Sequence, residues 1–418
     1  MDEKEKVILV GVNNFDTYNF YYSMLELENL ALANDLEIVG KLTQQIEKIN
    51  KSYYIGKGKV EELKSLVEQT GAETVIVNDE LSPSQIRNLE RLLACGVIDR
   101  TILILEIFAM RAQTKEAKLQ VEMARLQYLL PFLVGSNKQL GRQGGGAGLK
   151  NRGSGETKLE LDRRKIMDKI SFLRKELEEI VKQRGIQRNK RSKNEIPVVS
   201  LVGYTNSGKS TIMNTLVNLF GNEDKKVFEE NMLFATLETS VRNITLPDKK
   251  SFLLTDTVGF IDKLPHHLVK AFRSTLEEIT KADVIVHVVD YSNRNYKQQI
   301  QVTNDTLKDI GVENISIIYA YNKCDLIEIE IPIIEKDKVY MSAKQNIGIH
   351  GLVEQIRGHI FKDYVRCKML IPFQRGELVS YFQENANVYL TEYKENGTFL
   401  EMECKKSDVE KYEEYIKM

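Results

Sequence analysis

The sequence predicts a multidomain α/β protein. A larger domain of mostly parallel strands with helices on both faces is preceded by a small α/β domain with a helical hairpin. A small α/β module follows it. Three observations predict this. Short apolar runs alternate with helical periodicity over residues 1–110, two long helical patterns flank a Gly-rich stretch, and strand, glycine loop and helix succeed one another around residue 203. The expected boundaries are 1–110, 111–194, 195–362 and 363–418.

In the first domain, Lys6–Val12, Leu36–Leu42, Thr74–Val77 and Thr101–Ile107 read as strands. Asn19–Asn34, Val60–Gln69 (stopped by Gly71) and Ser84–Leu93 (entered through Ser82-Pro83) read as helices. Gly56-Lys57-Gly58-Lys59 lacks the spacing of a phosphate loop and reads as a tight turn. Two helical arms follow. Thr114–Leu130 ends at Pro131, and Leu161–Arg184 carries Ile166, Ile170, Leu173, Leu177 and Ile180. That 4-3-4-3 spacing makes a seam for an antiparallel partner, and the first arm is the natural one.

The stretch Gly203-Tyr204-Thr205-Asn206-Ser207-Gly208-Lys209-Ser210-Thr211 lies between an apolar strand and a helix. This context turns G-x-x-x-x-G-K-[ST] into a phosphate cradle, with backbone N–H groups aimed at anionic oxygens. Lys209 supplies a point charge to the β- and γ-phosphates, and Ser210 is a ligand for Mg²⁺. An apolar run ending in Asp256, within Asp256-Thr257-Val258-Gly259, places a carboxylate to hold Mg²⁺ through water. Gly259 permits close backbone approach to the γ-phosphate. The intervening Phe234-Ala235-Thr236-Leu237 reads as a first switch segment. Thr236 is the expected Mg²⁺ hydroxyl, with Thr239 the alternative.

Asn322-Lys323-Cys324-Asp325 follows a strand, Ile317–Tyr321, and selects the base. A carboxylate at Asp325 can accept two hydrogen bonds from the guanine edge, a donor pair adenine does not offer. Val339–Lys344 reads as a strand ending in Ser342-Ala343, where a backbone N–H can meet the guanine carbonyl. These elements describe a P-loop GTPase domain that takes GTP and GDP. Phe260 stands where many GTPases place the glutamine that orients the attacking water. Unaided hydrolysis is therefore expected to be slow. Two readings stand for Asn206: a ligand for K⁺, which would lend charge to the transition state, or a residue that only stabilises its own turn.

The composition is that of an ordinary soluble chain, with 28% charged and 42% hydrophobic residues. The most apolar run, Ile102–Met110, is short and contains Glu106, so no membrane span is expected. Met1–Lys6 does not read as a signal peptide, and the four cysteines lack metal-ligand spacing. A cytoplasmic, reduced, monomeric protein is the expectation. The net charge of −1 conceals an asymmetry: residues 138–194 hold 17 Lys/Arg against 7 Asp/Glu. Gly, Arg, Lys and Asn crowd residues 135–156, too polar to pack a core. A basic loop on a helical hairpin suits RNA, with Arg142, Lys150 and Arg152 the candidate phosphate contacts; the alternative reading is a flexible linker, which would need no arginines. Gln187–Asn194 reads as a basic hinge. In the last module, Lys368–Phe373 reads as a strand, Glu377–Gln383 as a helix and Asn387–Glu403 as a hairpin turning at Asn396-Gly397. Ser407–Lys417 reads as a closing helix capped by Ser407.

With these pieces the chain resembles the HflX family of ribosome-associated GTPases over nearly its full length. The resemblance rests on G-Y-T-N-S-G-K-S-T at 203–211, L-F-A-T-L at 233–237, D-T-V-G-F-I at 256–261 and N-K-C-D at 322–325. Outside that domain it rests on Y-I-G-K-G-K at 54–59, L-S-P-S-Q at 81–85, I-D-R-T at 98–101 and G-S-G-E-T-K-L-E-L-D-R-R at 153–164. It implies binding to the large ribosomal subunit and its rRNA. The Gly-rich loop would face the peptidyl-transferase region, and GTP would drive splitting of stalled or dormant ribosomes. It also implies hydrolysis stimulated by that subunit and a hydrophobic residue in place of the catalytic glutamine, as at Phe260. One departure is Glu238-Thr239, where the family usually has Asp-Pro. The alternative reading is a GTPase of rRNA or tRNA maturation, or of ribosome assembly, that splits nothing.

Overall fold

The computed structural model describes residues 4–134, 152–192, 196–221, 234, 240–263, 276 and 278–417. The chain divides into two compact units. The first gathers residues 1–189 with 230–238 and 258–276; the second gathers 190–229, 239–257 and 277–418.

The first unit contains β1 (Lys6–Asn13), α1 (Thr17–Ala33), β2 (Glu37–Gln45), α2 (Lys57–Thr70), β3 (Thr74–Val77), α3 (Pro83–Leu93), β4 (Gly96–Asp99) and α4 (Arg100–Arg111). The four strands form a parallel sheet in the order β2-β1-β3-β4. Seven of the eight β1 residues are buried, as expected of a central parallel strand covered on both faces. The helix ends follow their predicted signals. Gly71 closes α2 in the left-handed conformation. Ser82 and Gln85 form a reciprocal cap on α3, with Pro83 in its first turn.

Two expectations are corrected here. Thr101–Ile107 is helical rather than a strand. The Asp99 carboxylate accepts from the Ile102 N–H and starts α4, so the strand is only the four residues before it. An apolar run buried on most sides carries no periodicity to separate helix from strand. Gly56-Lys57-Gly58-Lys59 is not a free turn, because Gly56 is the N-cap and Lys57 begins α2.

The hairpin arms are α5 (Lys115–Val134) and α6 (Arg152–Ser192). Helix α5 runs past Pro131 to Val134. Helix α6 begins at Arg152, earlier than the loop boundary expected at 156, and remains helical through most of the expected hinge at 187–194. Ile170, Leu173 and Leu177 are buried, with Ile166 and Ile180 half-buried beside them. Lys115 meets Glu176 at 3.3 Å and Lys169 meets Glu122 at 2.5 Å, so the arms run antiparallel.

The second unit holds β5 (Val198–Gly203), α7 (Lys209–Phe220), β6 (Ser240–Thr245), β7 (Ser251–Asp256), β8 (Val284–Asp290), α8 (Tyr296–Asp309), β9 (Ser316–Asn322), β10 (Ile333–Glu335), β11 (Lys338–Tyr340) and α9 (Ile349–Ile360). The sheet order is β10-β11-β9-β8-β5-β7-β6, parallel except for the two edge strands. Val199, Leu201, Val286, Val288, Ile318 and Ala320 pack on Ile212, Leu216, Leu352 and Ile356 in one core.

Strand β12 (Tyr364–Ile371), α10 (Gly376–Asn385), β13 (Asn387–Lys394), β14 (Gly397–Lys405) and α11 (Lys406–Lys411) complete this unit. Their antiparallel sheet has the order β12-β14-β13 and packs Met369, Ile371, Leu400 and Met402 against Leu378 and Phe382. The closing helix is shorter than expected. Lys405, not Ser407, precedes its first turn, and no side chain caps it.

Candidate nucleotide-binding site

Strand β5 delivers the chain into the loop at Gly203, and α7 leaves it at Lys209. The two loop glycines are fixed by space as well as by backbone angle. Gly203 has φ +149°, and a Cβ there would lie 2.2 Å from the Val288 carbonyl oxygen. Gly208 has φ +96°, and a Cβ there would lie 2.2 Å from Asn322 Nδ2. No side chain fits either position without moving the neighbouring strand end. Asn206 also adopts the left-handed conformation, at φ +58°, and its side chain is exposed.

Lys209 is buried. Its Nζ donates to the carbonyls of Gly203 at 3.1 Å and Tyr204 at 2.8 Å. Burial lowers its pKa to about 8, and the nearby Lys323 pushes the same way against Asp256. An ammonium held in this manner gains from any anion delivered to the loop. The buried hydroxyls of Ser207 and Thr205 have no hydrogen-bond partner among the described residues. Buried hydroxyls without partners are costly, so a loop carrying two of them suits a ligand rich in acceptor oxygens. Tyr204 is buried at the loop's start, and Thr211 lies in the first turn of α7.

At the head of α7 the Ser210 hydroxyl donates to Asp256 Oδ2 at 2.7 Å. Asp256 ends β7 fully buried. The next residue, Thr257, donates its hydroxyl to the Leu201 carbonyl at 2.8 Å and ties the strand end to β5. A hydroxyl and a carboxylate from two elements, converging at the mouth of a phosphate loop, form a hard oxygen donor set that fits Mg²⁺.

Asn322 ends β9 and holds two other segments. Its Nδ2 donates to the Ser207 carbonyl at 3.0 Å, and its Oδ1 accepts from the Ala343 N–H at 2.9 Å. The Ser342 N–H donates to the Ile347 carbonyl at 3.0 Å. Both N–H groups of the Ser-Ala pair are therefore engaged within the protein, and Ala343 reaches a base only by sharing its donor. Lys323 takes a left-handed conformation, and its Nζ pairs with Asp290 Oδ2 at 2.8 Å. Asp325 lies half-exposed on the one-turn helix that follows.

Sequence reasoning missed two residues. Asp290, at the end of β8, orients Lys323 and also accepts from the Ser292 hydroxyl. His287, buried in β8, tilts against Tyr319, and burial together with the Lys209 charge lowers its pKa to about 3. Neither has a local motif; each is recognisable only once β8 lies between β5 and β9.

In the first unit, Phe234 is buried edge-on against Phe108 of α4 at 4.6 Å, and Val258 and Phe260 are buried. Arg100 Nη2 donates to the Asp262 carbonyl at 3.2 Å, and Lys263 pairs with Asp79 at 2.5 Å. Ala235, Thr236, Leu237 and Thr239 lie outside the described residues, as do Arg142 and Lys150. Gly259 is described and buried, and Arg152 is the first residue of α6.

The strand, loop and helix around Lys209, the carboxylate at Asp256 and the Asn322 motif define a P-loop GTPase. Three family models match the chain: "GTP-binding GTPase N-terminal" over residues 21–109, "GTP-binding GTPase Middle Region" over 111–191 and "50S ribosome-binding GTPase" over 198–323. GTPase HflX of Caldanaerobacter subterraneus subsp. tengcongensis is 45% identical, over 96% of this chain and 91% of its own length. GTPase HflX of Escherichia coli K12 is 39% identical, over 92% and 89%. A GTP-binding protein from Sulfolobus solfataricus, solved in complex with GDP, aligns over 86% of this chain and 99% of its own at 24% identity and a TM-score of 0.44. The chain belongs to the HflX family of GTPases and is a GTP-hydrolysing enzyme. Among the described residues no helix is long and apolar enough to cross a membrane.

Proposed function

We propose that the chain binds the large ribosomal subunit in its GTP state, splits stalled or dormant ribosomes, and is released when the subunit stimulates hydrolysis. The single observation that carries this reading is the family match: residues 198–323 fit the model described as "50S ribosome-binding GTPase", and a relative named GTPase HflX aligns over 96% of the chain, hairpin included. The antiparallel pairing of α5 and α6 supports it, because a braced hairpin can carry the basic segment between its arms.

The residues divide the chemistry among them. The loop N–H groups and Lys209 bind the phosphates, and Asp325 accepts from guanine. Asn322 keeps phosphate loop and base loop at a fixed spacing. Ser210 and Asp256 would hold Mg²⁺, with Thr236 as the switch hydroxyl. When bound, Mg²⁺ neutralises charge on the β- and γ-phosphates. K⁺ at Asn206 would be a further source of positive charge. A buried phenyl at Phe260 cannot position water, so that step falls to a group or conformation supplied with the subunit.

Hydrolysis assays with purified large subunits test the stimulation. The rate should rise at least about 10-fold over the free protein. Arg142→Ala, Lys150→Ala and Arg152→Ala combined should weaken subunit binding and flatten its salt dependence, with GTP affinity kept. A rate indifferent to subunits would remove the ribosome from the reading. Equal basal and stimulated rates in Na⁺ and K⁺ would remove the K⁺ role of Asn206.

A further inference from the structure

Two of the four cysteines meet in the C-terminal sheet. Cys367 lies on β12 and Cys404 on β14, with their sulfurs 3.5 Å apart. The register pairs Cys367 with Met402, and Val365 with Cys404, so the cysteines are diagonal neighbours across antiparallel strands. Residues two apart on a strand share a face, which places both thiols on the side packed against α10. Cys404 is 1% exposed, whereas Cys367 is only half-buried at the edge of that core. The nucleotide site uses neither residue.

We propose that Cys367 and Cys404 form a reversible oxidative staple, a modification site at which a hydroperoxide joins β12 to β14. The sulfurs must close by about 1.5 Å to reach the disulfide length of about 2.0 Å. Both strands are already hydrogen-bonded in register on either side of the pair. Cys367 is the attacking sulfur. It is the accessible one, and the hydrogen bond it shares with Cys404 holds its thiol below the ordinary range, while that same contact and burial push Cys404 upward. The Cys367 thiolate attacks the distal oxygen of the hydroperoxide. The O–O bond breaks, the leaving alkoxide or hydroxide takes a proton, and Cys367 becomes a sulfenic acid. The Cys404 sulfur then attacks Cys367 Sγ. The S–O bond breaks, and the hydroxyl departs as water with the Cys404 proton. Two thiols lose two electrons, and the peroxide accepts them.

The other cysteines act as internal controls. Cys95 is half-buried with its thiol pushed up by burial and by Glu90, and buried Cys324 donates to the Tyr321 carbonyl. The staple would close the segment 368–403, which contains α10 and β13. It would also fix the neighbour of Glu403, which pairs with Lys250 at 2.9 Å. Constraining that segment in the unfolded chain raises the stability of the oxidised form.

The test uses the full chain, treated with hydrogen peroxide, then denatured and alkylated for mass analysis. The expected result is two alkylated thiols where the reduced protein shows four, with a peptide linking Cys367 to Cys404. The melting temperature should rise by several degrees, and dithiothreitol should reverse both changes. Cys367→Ser should leave every remaining thiol alkylatable and abolish the shift. Because its position is half-exposed, this variant carries the test even if Cys404→Ser fails to fold. Four alkylated thiols after peroxide, a linkage through Cys95 or Cys324, or sulfinic acid at Cys367 without linkage would each overturn the proposal.

Discussion

The Ser210 hydroxyl donates to Asp256 Oδ2 at 2.7 Å, joining the first turn of α7 to the end of β7. A hydroxyl from the phosphate loop and a carboxylate from the neighbouring strand thus share one point in space. If that point is the Mg²⁺ position, Ser210→Ala and Asp256→Asn should each lower GTP affinity at least about 10-fold in Mg²⁺. The loss should shrink when the metal is chelated. Titration of a fluorescent GTP analogue with and without Mg²⁺ checks this. Equal losses in both conditions would make the pair structural only.

Asn322 touches the phosphate loop and the Ser-Ala turn with the two ends of one amide. Asn322→Ala should cost about 1–3 kcal/mol, since it leaves the Ala343 N–H and the Ser207 carbonyl without their buried partner. Thermal unfolding of the nucleotide-free protein reads this cost, and GTP affinity should fall in parallel. A destabilised variant with unchanged affinity would separate Asn322 from the site.

In the proposed site, base selection falls to one carboxylate, Asp325. Asp325→Asn should weaken GTP at least about 100-fold and favour xanthosine triphosphate, whose base presents the complementary acceptor. Competition between the two nucleotides measures the switch. An unchanged preference for guanine would remove Asp325 from the base site.

His287 predicts a pH dependence. Burial holds its folded pKa at about 3, and the Lys209 charge adds to this, against about 6.5 in the unfolded chain. Below the unfolded value, the unfolded chain takes up a proton that the folded chain refuses. The stability due to neutral His287 is therefore present above pH 6.5 and is lost as pH falls towards 3, amounting to about 2 kcal/mol at pH 5. Denaturant unfolding of the parent and of His287→Gln between pH 7 and pH 5 should show the variant losing less. Parallel pH profiles would contradict the assignment.

The parts of the site that were legible in the sequence are those where chemistry is packed into consecutive residues. Gly203–Thr211 lies between β5 and α7 and Asn322–Asp325 at the end of β9, as the consecutive residues of each motif led one to expect. The length of α4 was not, because a run as apolar as Thr101–Ile107 has no polar face to reveal its period, and only the Asp99 cap shows that a helix starts there. His287 and Asp290 were hidden for another reason. Their roles come from Lys209 and Lys323, which approach only when the parallel order β9-β8-β5 is formed. The engaged N–H of Ala343 was equally unreadable, since Asn322 reaches it across the sheet edge.

In the proposed cycle GTP binding, rather than hydrolysis, does the work on the ribosome. Sedimentation of intact ribosomes with the full chain and GTP, a non-hydrolysable GTP analogue or GDP tests it most directly. Separated subunits are expected with GTP and with the analogue, the protein remaining on the large subunit with the analogue, and intact ribosomes with GDP. Intact ribosomes with all three nucleotides would contradict it.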